Sequence, residues 1–254
     1  MDRDKFKPEF DFVYQKRVWQ CPSCISGYLI PKEIDLKLIE NAETINYRDC
    51  EAFEYDWISY VFHGQIKCNY CPETVVVSGI AKIERDQAPG WPEIDEMIEY
   101  KELSPKFFFP AVPIIDFSRF ESVPANFVSE IKNSFSLYWC NPAACINSIR
   151  SAIEVLLDYY SVKKNRSNGS LIFLGDRLKD FEKSDPEKAK ILNAIKWLGN
   201  SGSHKPNSFR YSDALDGYEI LEHFLETFFP MPKCDHFIKT KIEAINSARG
   251  PVRD

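Results

Sequence analysis

The residues best suited to chemistry lie in one short stretch, Lys196-Trp197-Leu198-Gly199-Asn200-Ser201-Gly202-Ser203-His204-Lys205-Pro206. Histidine changes its protonation state near neutrality, so His204 is a candidate general acid or base. Gly199 and Gly202 relax the backbone and Pro206 cannot continue a helix. The sequence therefore predicts a helix over residues 187–198, followed by a turn that carries His204. A helix C-cap with a satisfied histidine is the alternative that the stretch alone leaves open.

Two cysteine pairs form a second chemical pattern. Cys21-Pro22-Ser23-Cys24 and Cys68-Asn69-Tyr70-Cys71 each present two thiolates from one tight turn, and two such turns complete the four-sulfur tetrahedron that Zn²⁺ prefers. A closed four-cysteine site has no open coordination position, so we expect the zinc ion to be structural. Redox activity is the main alternative, and Cys50 or His63 could replace a ligand.

Composition narrows the classes of protein. The chain has 254 residues, 44% of them hydrophobic, and a net charge of -6, so it can bury a core but has no overall basic field for nucleic acid. Any nucleic-acid binding must use a local patch. The sequence shows no signal peptide and no apolar run that could span a bilayer, so we expect a cytoplasmic protein without membrane association.

The elements that position these residues fall into three predicted parts. Residues 1–83 have the pattern of a β-rich domain, with strand-like runs at 28–30, 57–62 and 74–80 and an insertion at 31–55. Residues 84–123 are acidic and proline-rich, which indicates a connector. Residues 124–254 have helical periodicity, with helices at 124–139, at 141–162, from about Ser170, at 187–198, from Tyr211, and from Cys234 to Ala248. The predicted fold class is α+β, a small zinc-ribbon domain followed by an all-α bundle.

The longest predicted helix carries one further pair. Arg150 and Glu154 are four residues apart, so they share a face of that helix. From spacing alone, they are a candidate intrahelical ion pair.

These motifs and their order resemble the domain-of-unknown-function 4145 family. The resemblance covers roughly residues 105–230, and its residues are Arg150 and Glu154 on the long helix and Gly199, Asn200 and His204 after the basic Lys196. A cysteine ribbon is a common companion upstream. That family is grouped with the HEPN superfamily, whose members are helical bundles and include many metal-independent ribonucleases of toxin and phage-defence systems. The resemblance implies a HEPN-like bundle for residues 124–254.

The resemblance also implies a mechanism for this chain, as a metal-independent endoribonuclease of phage-defence or toxin type. His204 would act as general acid or base while a ribose 2′-hydroxyl attacks the adjacent phosphate. Lys196 or Arg150 would stabilise the charge of the phosphorane and Asn200 would orient it. Glu154 would hold Arg150 or His204 in place. RNA would be the substrate, a homodimer the assembly, and a defence-system protein a partner.

Two other functions fit the sequence. The family usually has arginine where this chain has Lys196, and lysine cannot make the bidentate phosphate contact of arginine. Superfamily members that lack the full motif act as binding modules, so the alternative is a non-catalytic nucleic-acid- or protein-binding adaptor in a defence or restriction complex. A sequence-specific DNA binder is least favoured, because the ribbon has no dense run of lysine and arginine.

Overall fold

The computed structural model describes residues 1–12, 17–87, 97–204, 206–231 and 235–248. Lys205, Cys234 and residues 88–96, part of the predicted acidic connector, lie outside the described residues.

Six strands precede the main group of helices in the described chain. β1 (Trp19–Gln20) and β2 (Tyr28–Leu29) form a two-stranded antiparallel ribbon. β3 (Leu36–Glu40), β4 (Ser59–Lys67), β5 (Thr74–Gln87) and β6 (Met97–Phe109) form a four-stranded antiparallel sheet in chain order. The predicted runs at 28–30, 57–62 and 74–80 contribute to β2, β4 and β5. The predicted insertion holds β3 and the short helix α1 (Ala42–Tyr47).

The sheet extends into the segment predicted to be a connector. β5 continues to Gln87 and pairs with β6 from Gln87 opposite Met97 to Val76 opposite Phe109. Leu103 and Phe108 of β6 are buried, and these apolar positions hold the strand on the core although charged Lys106 lies between them. Residues 97–109 are therefore part of the sheet. The boundaries between domains stay a prediction.

Helices dominate the second half of the described chain. α3 begins after Asn141, whose side chain accepts a hydrogen bond from the backbone N–H of Ala144 at 2.9 Å, with Pro142 in the first turn as predicted. None of the described helices is long and apolar enough to cross a membrane. The mixed α+β class is confirmed. The helices are α2 (Ala125–Tyr138), α3 (Pro142–Tyr159), α4 (Leu174–Glu182), α5 (Pro186–His204), α6 (Tyr211–Phe228) and α7 (Asp235–Ala248).

α5 differs most from its prediction, because it does not end at Leu198. The helix continues through Gly199 and Gly202 to His204, so the predicted turn at these residues is wrong. A Cβ atom at residue 199 would lie 2.7 Å from Cβ of Arg150, and one at residue 202 would lie 2.7 Å from Cγ2 of Ile146. The glycines therefore allow α5 to pack directly on α3. This packing compensates for the helix propensity lost at glycine, about 1 kcal/mol per residue.

An aromatic cluster joins the sheet to the helices. Trp19 and Trp139 are buried and meet edge to face with ring centroids 6.1 Å apart. Phe108 of β6 lies 4.9 Å from each of these two rings. Because Trp19 is in β1 and Trp139 follows α2, one continuous core fixes the cysteine-bearing ribbon against the helical region.

We expect Gly202→Ala to destabilise the protein by about 1–3 kcal/mol, because the new methyl group overlaps Ile146 and lies 3.0 Å from the carbonyl oxygen of Ala143. Gly175→Ala on α4 is the matched control. A Cβ there meets nothing within 4 Å, so it should be neutral or stabilise by up to about 1 kcal/mol. Urea unfolding measures both variants. Equal effects of the two substitutions would contradict the close α3–α5 contact.

Candidate functional site

The four predicted metal ligands come together at the end of the sheet. Cys21 and Cys24 lie in the turn between β1 and β2, and Cys68 and Cys71 lie in the turn between β4 and β5. The four Sγ atoms all lie within 4.8 Å of one another, and Cys21–Cys71 and Cys24–Cys68 are each separated by 3.7 Å. These separations suit four sulfurs around one tetrahedral ion.

Backbone geometry prepares these thiols to act as ligands. The N–H of Gly27 donates to Sγ of Cys24 at 3.3 Å, and the N–H groups of Tyr70 and Cys71 donate to Sγ of Cys68 at 3.4 and 3.5 Å. A Cβ at residue 27 would lie 2.4 Å from Sγ of Cys68. Only glycine leaves room for that sulfur, so the turn is shaped around the thiol group.

The four thiol groups lie so close together that their thiolate forms would repel one another without a bound cation. Burial opposes ionisation of Cys68, but the N–H groups of Cys71 and Tyr70 outweigh it and lower the pKa of that thiol to about 7. An N–H from Glu73 favours the thiolate of Cys71, yet burial and the three neighbouring sulfurs raise the pKa of Cys71 to about 12. Burial also raises the pKa of Cys21. Four thiolates at this spacing need a bound cation to balance their charge.

The donor set therefore fits a divalent metal held by four sulfurs, for which Zn²⁺ is the ion we propose. Cys50 and His63 are exposed, and neither belongs to the cluster. The cluster has no position left for a substrate, so a bound ion would hold the two turns together.

We expect purified protein to carry about one zinc ion per chain, measured by plasma mass spectrometry. Cys24→Ser and Gly27→Ala should both lower zinc retention during dialysis against a chelator, because the first removes a ligand and the second displaces Cys68. Cys50→Ser is the control, since this cysteine lies outside the cluster. Full retention in Cys24→Ser, or loss in Cys50→Ser, would contradict the four-cysteine assignment.

Three of the predicted catalytic residues form a row on α5. Lys196, Asn200 and His204 follow one another at intervals of four residues, so they lie on the same side of the helix. Lys196 is 9% exposed, Asn200 is half-buried and His204 is exposed. The row therefore leads from the interior of the helical region to its surface.

Arg150 lies beside this row. The first three carbons of its side chain lie within 3.1 Å of the position that a Cβ at Gly199 would take, so the arginine crosses α5 at this glycine. Its Nε atom is buried and has no hydrogen-bond partner among the described residues. The ion pairs of the described chain do not include Arg150.

Lys196 is the second cation at this point. Its Nζ donates to Oδ1 of Asn193 at 2.9 Å and lies 3.9 Å from the ring centroid of Trp197. Burial lowers the pKa of Lys196, and repulsion from Lys179 and Arg150 lowers it further. Arg150 crosses α5 at Gly199, three residues from Lys196, and no carboxylate of the described residues pairs with either cation.

Glu154, the fifth predicted catalytic residue, has a different neighbour. Its Oε2 atom lies 4.0 Å from Nη1 of Arg177, and that nitrogen also donates to the backbone carbonyl oxygen of Glu154 at 3.3 Å. Arg177 further donates to Asp158 and, at 3.0 Å, to the carbonyl oxygen of Val162. The structure therefore joins Glu154 to Arg177 on α4 and leaves Arg150 without its predicted partner.

Sequence reasoning missed Arg177, although a signal was present. Leu174, Leu178 and Phe181 form the buried face of α4, and residue 177 occupies the same face. An arginine at a buried position needs hydrogen-bond acceptors from neighbouring residues, because a buried unpaired charge is costly. The end of α3 supplies those acceptors.

The arrangement on α5 suits the binding of an anion. Two cations with no carboxylate partner attract a phosphate group, and arginine offers it several N–H donors. Asn200 can donate a further hydrogen bond, and His204 lies at the exposed end of the row. Arg150 thus crosses α5 one turn from Lys196, Asn200 and His204 continue the row along α5 towards the surface, and Glu154 pairs with Arg177.

Comparison with protein-family models finds two matches. Residues 132–247 match a domain of unknown function (DUF4145), and residues 12–110 match a second domain of unknown function (DUF8608). No curated protein and no solved structure matches the chain. The first match confirms the resemblance seen in the sequence, whereas membership of the HEPN superfamily stays a prediction. The second match spans the cysteine cluster and the four-stranded sheet.

Proposed function

We propose that the helical region is a HEPN-like bundle whose α3–α5 crossing binds and cleaves RNA, as a metal-independent endoribonuclease of phage-defence or toxin type. One observation carries the proposal. Arg150 crosses α5 at Gly199, one turn from Lys196 in the row that ends at His204, and no described carboxylate pairs with either cation. A bound anion would supply the negative charge that both cations lack.

Each side chain of the site has a separate role in the proposed reaction. Arg150 and Lys196 bind the phosphodiester and stabilise the additional negative charge of the phosphorane. Asn200 donates a hydrogen bond that orients this group. His204, at the exposed end of the row, is within reach of a strand that approaches from solvent. We assign Glu154 to holding Arg177 and not to the reaction.

The reaction is a transesterification at phosphorus within the RNA chain. The ribose 2′-oxygen forms a bond to phosphorus and its proton passes to a base, while the bond from phosphorus to the 5′-oxygen breaks and that oxygen takes up a proton. The products are a 2′,3′-cyclic phosphate and a 5′-hydroxyl. His204 serves one of these proton transfers. A second copy of the chain, in the homodimer we propose, supplies a second histidine for the other.

A non-catalytic adaptor is the second candidate, and one observation favours it. Gly199 and Gly202 are explained by helix packing alone, since each contacts α3 too closely for any larger residue. The glycine–asparagine–histidine pattern could then be structural, with the exposed Trp197 and the cations contacting a partner protein of a defence complex or a nucleic acid.

We expect His204→Ala to slow RNA cleavage by about 10²–10⁴-fold, the usual contribution of a general acid or base. The assay uses labelled RNA in excess chelator, with zinc content checked afterwards and product ends identified by mass. His223→Ala on α6 is the matched control, because this histidine is also exposed but lies on another helix. Arg150→Met should also lose activity, whereas Lys196→Arg should retain or raise it.

Cleavage that is equal in His204→Ala and the parent protein would contradict the nuclease. Binding of RNA without cleavage, together with lower thermal stability of His204→Ala, would favour the adaptor instead. Products that lack a cyclic phosphate would exclude attack by the 2′-hydroxyl.

A further inference from the structure

The outer face of the four-stranded sheet carries large apolar side chains that nothing in the described chain covers. Register places Ile39, Val61 and Ile80 side by side on β3, β4 and β5, and each is between 42% and 50% exposed. Val76 lies opposite Phe109, which is 65% exposed. Exposed apolar side chains gathered on one face of a sheet are a feature of binding surfaces.

Two phenylalanines give this face a specific shape. Phe107 and Phe109 project from the same side of β6, with ring centroids 6.4 Å apart and ring planes within 4° of parallel. Both rings are exposed, and stacking on exposed aromatic rings is how proteins hold unpaired nucleotides.

The charges on the face are distributed unevenly along the strands. The row with Phe107 runs through Ser78 and His63 to Lys37, and the next rows hold Gln65 and then Lys67. Carboxylates of this face lie at the opposite end, where Glu102 is opposite Lys82. In the paired rows at the end of the face that holds Phe107 and Phe109, the charged residues are therefore all lysines.

A cleft beside β3 and β4 extends this positive border. Its volume is about 580 Å³, and its charged lining consists of Lys32, Lys37 and Lys67 with a single carboxylate, that of Asp35. His63 also lines it. A polyanion that crosses the sheet from Phe109 would enter this cleft.

We infer that this face binds single-stranded nucleic acid, with bases stacked on Phe107 and Phe109 and phosphates near Lys37 and Lys67. The inference concerns a second surface and does not require cleavage at α5. The net charge of -6 is no obstacle, because the lysines form the local patch that such binding needs.

The test measures anisotropy of labelled 12-nucleotide adenosine oligomers, one of RNA and one of DNA, with zinc-loaded full-length protein. All proteins carry His204→Ala, so that the RNA stays intact whether or not the chain cleaves it. We expect Phe107→Ala with Phe109→Ala to weaken binding at least tenfold. Phe173→Ala, which removes an exposed phenylalanine next to α4, should change binding less than twofold. Tighter binding of RNA than of DNA would identify RNA as the ligand. Equal affinity for the two oligomers would show that the face binds single strands of both kinds.

Salt dependence provides a second, independent readout. Lys37→Gln with Lys67→Gln should reduce the slope of log affinity against log salt by about 1.4, since each phosphate contact of a single strand contributes about 0.7. Lys183→Gln with Lys190→Gln removes the same charge from exposed positions, one just after α4 and one on α5, and should leave the slope unchanged. This pair tests the inference even if the phenylalanine variants fail to fold.

Three results would overturn the inference. The first is no binding of either oligomer by the parent, and the second is equal affinity in the parent, phenylalanine and lysine variants. The third is self-association of the parent in sedimentation that disappears in the phenylalanine variant, which would make a second copy of the chain the occupant. Loss of cleavage in the separate nuclease assay has no bearing on these readouts.

Discussion

The close contact between α3 and α5 is the constraint on which the candidate site depends. Gly199 and Gly202 bring the backbone of α5 against Arg150, Ile146 and Ala143 of α3. A larger residue at either position would separate the helices and move Arg150 away from Lys196. The electrostatic character of the site therefore follows from a packing requirement, because two cations approach each other only where the helices are in contact.

Arg177 explains why Arg150 lacks the carboxylate partner that its spacing from Glu154 predicts. Glu154 is four residues from Arg150, a spacing at which the two could form an ion pair. The fully buried guanidinium of Arg177 instead lies between α4 and the end of α3 and pairs with Glu154 and Asp158. A fully buried charge needs a partner of opposite charge more than a half-exposed charge does. One structural arginine thus leaves another free for an anion. The Trp19–Phe108–Trp139 cluster holds the cysteine turns and the sheet against the same helices.

Much of the fold follows from local sequence signals. Paired cysteines predicted the four-sulfur cluster, and Asn141 with Pro142 predicted the start of α3, because both signals act within a few residues. The errors arise where distant residues decide the structure. Gly199 and Gly202 favour a turn in isolation, and only α3 makes them helical. Residues 97–109 look like a charged connector until β5 pairs with them. The partner of Glu154 depends likewise on α4, which spacing within α3 cannot reveal.

The central claim is that the α3–α5 crossing is an anion site next to His204, and nuclear magnetic resonance of the histidine side chains tests it most directly. The chain has four histidines, so the imidazole signal of His204 can be assigned with His204→Ala and followed during titration with uridine 3′-monophosphate. We expect a saturable shift of the His204 signal that Arg150→Met abolishes. A His204 signal that stays unchanged, or shifts equally without Arg150, would contradict it.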